Sequence, residues 1–131
     1  MTAKDFVKQL YRIDQLITVA EDNLKDLRAA VTALGSPGFE ESYNPNKSTD
    51  APYVRVMEKV VEQEKRLEDL INLKQHVIDT IGKLDNRDER LVLLYRYLYR
   101  MSWRDIATEM FMDAKTVMKV HGEGLLHLRY E

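Results

Sequence analysis

The chain of 131 residues has no cysteine, only three prolines and five glycines, and no apolar run near the roughly 20 residues that cross a bilayer as a helix. Without cysteine there is no disulfide framework and no thiolate zinc site, so stability has to come from packing apolar faces together. The opening stretch MTAKDFVKQLYRID carries charges where a signal peptide would have its apolar core, so a cytoplasmic protein without a membrane span is expected. His76, His121 and His127 are the only histidines and stand at no metal-ligand spacing from one another. There is no phosphate-binding glycine loop and no nucleophile elbow, and acidic pairs such as Glu40-Glu41 and Glu68-Asp69 read as solvated charge. Neither catalysis, nor a cofactor, nor a bound metal is expected.

A positive excess is also missing. The net charge is -2, with 12 Lys/Arg against 14 Asp/Glu through Leu84 and 8 against 8 from Asp85 to Glu131. Sequence-independent binding of a polyanion usually relies on a strong cationic surplus, so any nucleic-acid affinity has to come from a few placed cations, from several copies, or from a second protein.

What is present is helical periodicity. Phe6, Leu10, Ile13, Ile17, Ala20, Leu24, Leu27, Val31 and Leu34 alternate by four and three, a heptad seam that needs a partner helix to cover it. Gly35-Ser36-Pro37-Gly38 ends this helix, and all three prolines fall between there and Pro52, so a loop is expected over about 35–52. Helix resumes near Tyr53, with Val54, Met57, Val60, Val61, Leu67, Leu70, Ile71, Val77, Ile78, Ile81 and Leu84 on a broad apolar face interrupted by Gln63, Glu64 and Lys74. Residues 1–84 are therefore read as a long antiparallel, coiled-coil-like hairpin that self-associates.

Gly82 and Asp85-Asn86-Arg87-Asp88 loosen the pattern and mark the junction to a second domain over 85–131. Three shorter helices are expected there. Asn86 caps one ending near Arg100, Ser102 caps one ending near Met110, and Asp113 caps one running from Ala114 toward Leu128. The expected fold class is thus all-α. Two helices joined by about three residues, the second with Lys and Thr in its first turn, form the helix-turn-helix arrangement. Trp103 is expected to pack into the core of these helices, Tyr95, Tyr97 and Tyr99 cannot share one helical face, and Met110 and Met112 read as packing residues.

The segment LVLLYRYLYRMSWRDIATEMFMDAKTVMKVHGEGLLHLR resembles region 4 of the sigma-70 family. The shared features are Arg96-Tyr97, Ser102-Trp103 before Ile106-Ala107, Thr116-Val117, and Leu125 with Leu128-Arg129. With the N-terminal hairpin and His121, the chain resembles the ArpU/RinA-type family of phage transcriptional regulators. That resemblance implies control of late phage genes. Phe111 stands where the sigma pattern has a turn glycine, so it must adopt a right-handed conformation or bear strain. Gly122 and Gly124 each weaken the last helix by roughly 1 kcal/mol against Ala, so fraying or bending is expected there.

In the last helix Val117, Val120, Gly124, Leu125 and Leu128 form the inward stripe, leaving Ala114, Lys115, Met118, Lys119 and Gly122 outward. Lys115 can donate to guanine, and Ala114 and Met118 can touch a thymine methyl. Lys119, Arg104 and Arg100 would hold phosphates, and Thr116 belongs to the same first turn. The expected DNA-binding set is therefore Arg100, Arg104, Ala114, Lys115, Thr116, Met118 and Lys119. The expected partners are double-stranded DNA, host RNA polymerase and further copies of the chain joined through the N-terminal helices. Two other functions fit the same features: a DNA-packaging recognition subunit similar to small terminase proteins, and a polymerase adaptor that does not read DNA.

Overall fold

A computed structural model describes residues 1–34 and 52–130. The loop expected over about 35–52 lies outside these residues except for Pro52, which opens the second long helix at a position where its fixed φ and missing N–H cost nothing. Among the described residues there is no strand and there are five α-helices: α1 Ala3–Leu34, α2 Pro52–Gly82, α3 Arg87–Leu93, α4 Trp103–Met110 and α5 Ala114–His127. The described residues are all-helical, as the periodicity predicts. None of these helices is long and apolar enough to cross a membrane.

The short helices start where the sequence supplies a cap. Asn86, Ser102 and Asp113 each accept a hydrogen bond from the backbone N–H three residues on, at 3.1, 3.1 and 2.7 Å. Each such cap is worth about 1 kcal/mol against alanine. The helix expected to end near Arg100 divides. After α3 it widens into a π-helical turn, Leu94–Leu98, in which Tyr99 N–H donates to the Leu94 carbonyl at 3.1 Å. Met101 N–H donates to the Tyr95 carbonyl at 3.0 Å, and Arg100 between them takes a left-handed conformation with φ 57.

The chain forms two compact units, one made of Met1–Asp14 with Asn72–Glu131 and the other of Gln15–Ile71. This division passes through both long helices, whereas the sequence pattern suggests a boundary near Leu84. The reason is that the N-terminal end of α1 and the C-terminal end of α2 share a core with the short helices. Phe6, Val7, Leu10 and Ile13 of α1 and Val77, Ile81 and Leu84 are buried in the same unit as Val92, Leu93, Tyr97, Ile106, Val117 and Leu128. Polar contacts tie the same elements together: the Tyr11 hydroxyl donates to the Arg96 carbonyl at 2.9 Å, and Lys74 meets Asp14 at 2.8 Å. Phe6 stacks on Tyr130 with ring centroids 5.4 Å apart.

Among the described residues of the unit Gln15–Ile71 the buried apolar side chains are Ala20, Leu24 and Val60. Ile17, Leu27, Val31, Met57, Leu67 and Leu70 are half-buried. Val54, Val61 and Ile71, which the sequence groups with the apolar face of α2, are exposed, as are Leu16 and Val19 of α1. Glu64, a polar interruption of that face, lies 3.8 Å from Arg28 in an exposed ion pair.

Candidate nucleic-acid interface

α5 has two unlike faces. Val117, His121, Gly124 and Leu128 are buried, with Val120 and Leu125 half-buried beside them. Val117 joins Val92, Ile106 and Ala107 in one core cluster, against which Tyr95, Met101, Trp103, Met110, Met112 and Val120 pack. Ala114, Lys115, Thr116, Met118 and Lys119 are exposed. Their spacing of one, four and five residues puts Ala114, Lys115, Met118 and Lys119 on one surface of the helix, opposite the core.

α5 runs unbroken through both of its glycines, without the fraying that was one of the two outcomes expected there. Gly124 is needed for close packing. A Cβ on it would lie 3.3 Å from Glu89 Cβ and 3.4 Å from Leu93 Cδ1, so the missing side chain is what lets α3 and α5 approach. The Cβ of an alanine at Gly122 would meet nothing within 4 Å.

The inward position that sequence reasoning missed is His121. Its ring is buried, with Tyr97 Oη and His121 Nε2 2.7 Å apart and the Trp103 ring edge-on at 4.8 Å. Burial, and then the nearby charges of Lys4 and Arg96, push its pKa down to about 4, so the imidazole is neutral at pH 7. Burial likewise pushes the Tyr97 phenol up to about 12. A neutral imidazole and a protonated phenol provide one donor and one acceptor, so the pair is satisfied. The spacing Val117, His121, Gly124, Leu128 was the available signal, four residues on one helical stripe.

Of the cations expected to hold phosphate, Arg104, Lys115 and Lys119 are exposed. Arg100 is exposed as well and also has partners within the chain. Its guanidinium donates to the Tyr11 carbonyl at 3.1 Å, lies 3.6 Å from Asp14 and sits over the Tyr11 ring at 5.5 Å. It therefore joins the π-turn to α1. Arg96, also absent from the expected set, shapes the start of α4: its Nη1 donates to the Met101 carbonyl at 2.9 Å, and its guanidinium lies 4.3 Å from the centre of the Trp103 ring. Trp103 is half-buried on the core as expected, Tyr97 is buried, and Tyr99 is 64% exposed.

Of the two forms expected for the turn between α4 and α5, the strained one is found. Phe111 adopts φ 56 and ψ 40, the left-handed region, at a cost of roughly 1–2 kcal/mol for a residue with a side chain. The conformation is held by a double closure, with Phe111 N–H bonded to the Thr108 carbonyl at 3.3 Å and Met112 N–H to the Ala107 carbonyl at 3.0 Å. Met112 then packs on the core cluster, and that burial offsets the strain at its neighbour.

At the start of α5 the Asp113 carboxyl accepts from Thr116 N–H, and hydrogen bonding with the Thr116 side chain first and its backbone N–H second holds its pKa below the usual carboxylate value. The N-terminal end of α5 is therefore capped by a charged group of the chain itself. Compared with family models, curated proteins and solved structures, the chain matches none.

Proposed function

We propose that α3 with its π-turn, α4 and α5 form a helix-turn-helix module that lays α5 in the major groove of double-stranded DNA, and that the chain regulates transcription from a promoter. The observation that carries this reading is the two-faced α5: Ala114, Lys115, Met118 and Lys119 exposed on one surface, with Val117, His121, Gly124 and Leu128 buried on the other. A groove-reading helix needs that division, because its inner stripe fixes its angle while its outer first turns meet base edges. Lys115 donates to guanine O6 or N7, Ala114 and Met118 contact a thymine methyl, and Arg104 and Lys119 hold phosphates.

The resemblance to ArpU/RinA-type regulators extends the proposal to late phage genes. An antiparallel pairing of α1 with α2 would support it, since a self-associating hairpin would bring several modules to one DNA site. Asp14 of α1 pairs with Lys74, and Arg28 further along α1 pairs with Glu64, earlier in α2. That reversed order is the one an antiparallel hairpin requires. Association of modules also answers the neutral charge of residues 85–131, because linked weak sites bind with combined avidity.

The test is selection of bound sequences from a random DNA pool with the full chain, followed by affinity and salt-dependence measurements on the selected site. Lys115→Ala with Lys119→Ala is expected to weaken binding by about 1–3 kcal/mol from the lost base contact, and to lower the salt slope by about one unit for the lost phosphate contact. Failure to select any site, or equal binding by the double variant, would remove the module from DNA and leave the polymerase adaptor as the better reading.

A further inference from the structure

α5 contains two glycines, and the fold accounts for only one of them. Gly124 is buried against α3, where a Cβ would crowd Glu89 and Leu93. Gly122 is exposed, and a Cβ there would meet nothing within 4 Å. Its φ is not positive either, so no backbone conformation requires a glycine. Glycine is the poorest helix former after proline, so the position weakens α5 for no reason found inside the chain.

The surface around Gly122 points outward. Lys115, Lys119, Gly122 and Leu126 follow one another at intervals of four, three and four, and all are exposed. They form one line along α5, about 200° round from the buried Val117, His121, Gly124 and Leu128, which keep the same intervals two residues later. Gly122 is thus a gap in the line that carries both lysines proposed to meet DNA. It stands about 10 Å along the axis from Lys115. The major groove is about 12 Å wide. A helix that enters the groove by its first turn, with Lys115 at the base edges, passes the sugar-phosphate wall near Gly122.

We infer that a sugar-phosphate strand at the edge of the major groove packs directly on the α5 backbone at Gly122, so that this glycine sets how deeply Lys115 and Lys119 enter. The inference rests on the proposed DNA reading of α5. Without a Cβ the backbone can approach a ligand closely. With one, the helix is held away and the contacts of both lysines lengthen.

The experiment takes the full chain and the site selected from random DNA, and measures affinity and thermal unfolding for Gly122→Ala and Gly122→Leu. Alanine and leucine lie close together at the top of the helix-propensity scale, so both variants should melt at or above the wild-type temperature, and a difference in binding between them reports bulk. Binding is expected to weaken about tenfold with alanine and further with leucine, as added methyl groups in a close contact usually cost. Wild-type affinity in either variant would overturn the inference and leave the reading of α5 in place. So would leucine binding no more weakly than alanine, because the glycine would then serve helix bending and not close approach. A lower melting temperature in either variant would return the glycine to the fold and overturn the inference as well. If wild type itself selects no site, the reading of α5 fails and the inference falls with it.

Discussion

The ends of α1 and α2 that belong to the unit Met1–Asp14 with Asn72–Glu131 are packed differently from the rest of the same helices. In that larger unit Val7, Leu10, Val77 and Ile81 are completely buried. Among the described residues of Gln15–Ile71 the buried ones are Ala20, Leu24 and Val60, and Leu16, Val19, Val54, Val61 and Ile71 face solvent. The sequence pattern does not change along α1, since the same alternation of four and three runs from Phe6 to Leu34. A heptad seam says that a helix has a neighbour, not how many neighbours it has. With one neighbour a helix covers a single stripe, and with α3, the π-turn and the C-terminal residues added it covers two.

The sharpest way to break this comparison is to remove the same kind of apolar bulk from each unit. Leu93→Ala, at a completely buried side chain, is expected to lower unfolding stability by about 2–5 kcal/mol, while Val61→Ser, at a side chain 62% exposed, changes it by less than about 0.5 kcal/mol in dilute solution. Denaturant titration of both variants measures the contrast. Equal losses would mean that Val61 is covered in solution.

A second test uses the buried imidazole of the larger unit. The folded pKa of His121 is about 4, below the 6.5 of an unperturbed histidine, so the unfolded chain binds the proton more readily. The stability associated with His121 is therefore complete above about pH 6.5 and falls as pH drops toward 4, by up to about 3 kcal/mol. His121→Gln keeps a neutral polar group and should flatten this part of the stability profile measured by denaturant midpoints. A slope identical to wild type would assign it to other groups.

The smallest expected effect separates two glycines of one helix. Gly122→Ala should raise stability by about 0.5–1 kcal/mol through helix propensity, because nothing crowds its Cβ. Gly124→Ala should lower it by about 1 kcal/mol, because contact with Glu89 Cβ and Leu93 outweighs the same gain. Thermal melts of the pair decide it, and equal stabilisation of both would show that α3 and α5 have room to separate.

The all-helical class, the helix starts and most of the stripe on α5 were legible because each depends on local spacing or on a capping side chain. Asn86, Ser102 and Asp113 are examples, each acting on an amide three residues away. What escaped depends on distant residues. Val7 lies off the heptad seam and is buried because other elements cover that end of α1. The contacts of Arg100 with Tyr11 and Asp14, more than eighty positions away, are of the same kind. For Phe111 the sequence leaves two choices, right-handed or strained, and the packing of Met112 on the core, a tertiary effect, goes with the strained one. On the candidate DNA face, Lys115, Met118 and Lys119 were accessible to sequence reasoning for a simple reason: they are what remains on α5 once its apolar stripe is subtracted.

The π-turn at Leu94–Leu98 has one more residue than an α-helical turn would hold, and so acts as a phase shifter. Each residue of an α-helix turns the next by about 100°, so deleting one residue here would restore the ordinary ladder but rotate everything upstream against everything downstream by about that angle. Tyr97 and His121 would no longer meet, and Arg96 would leave Trp103. The bulge thus sets the angular register between α3 and the start of α4. A single-residue insertion of this kind, once fixed by the contacts of Tyr97, cannot be reversed without repacking the core.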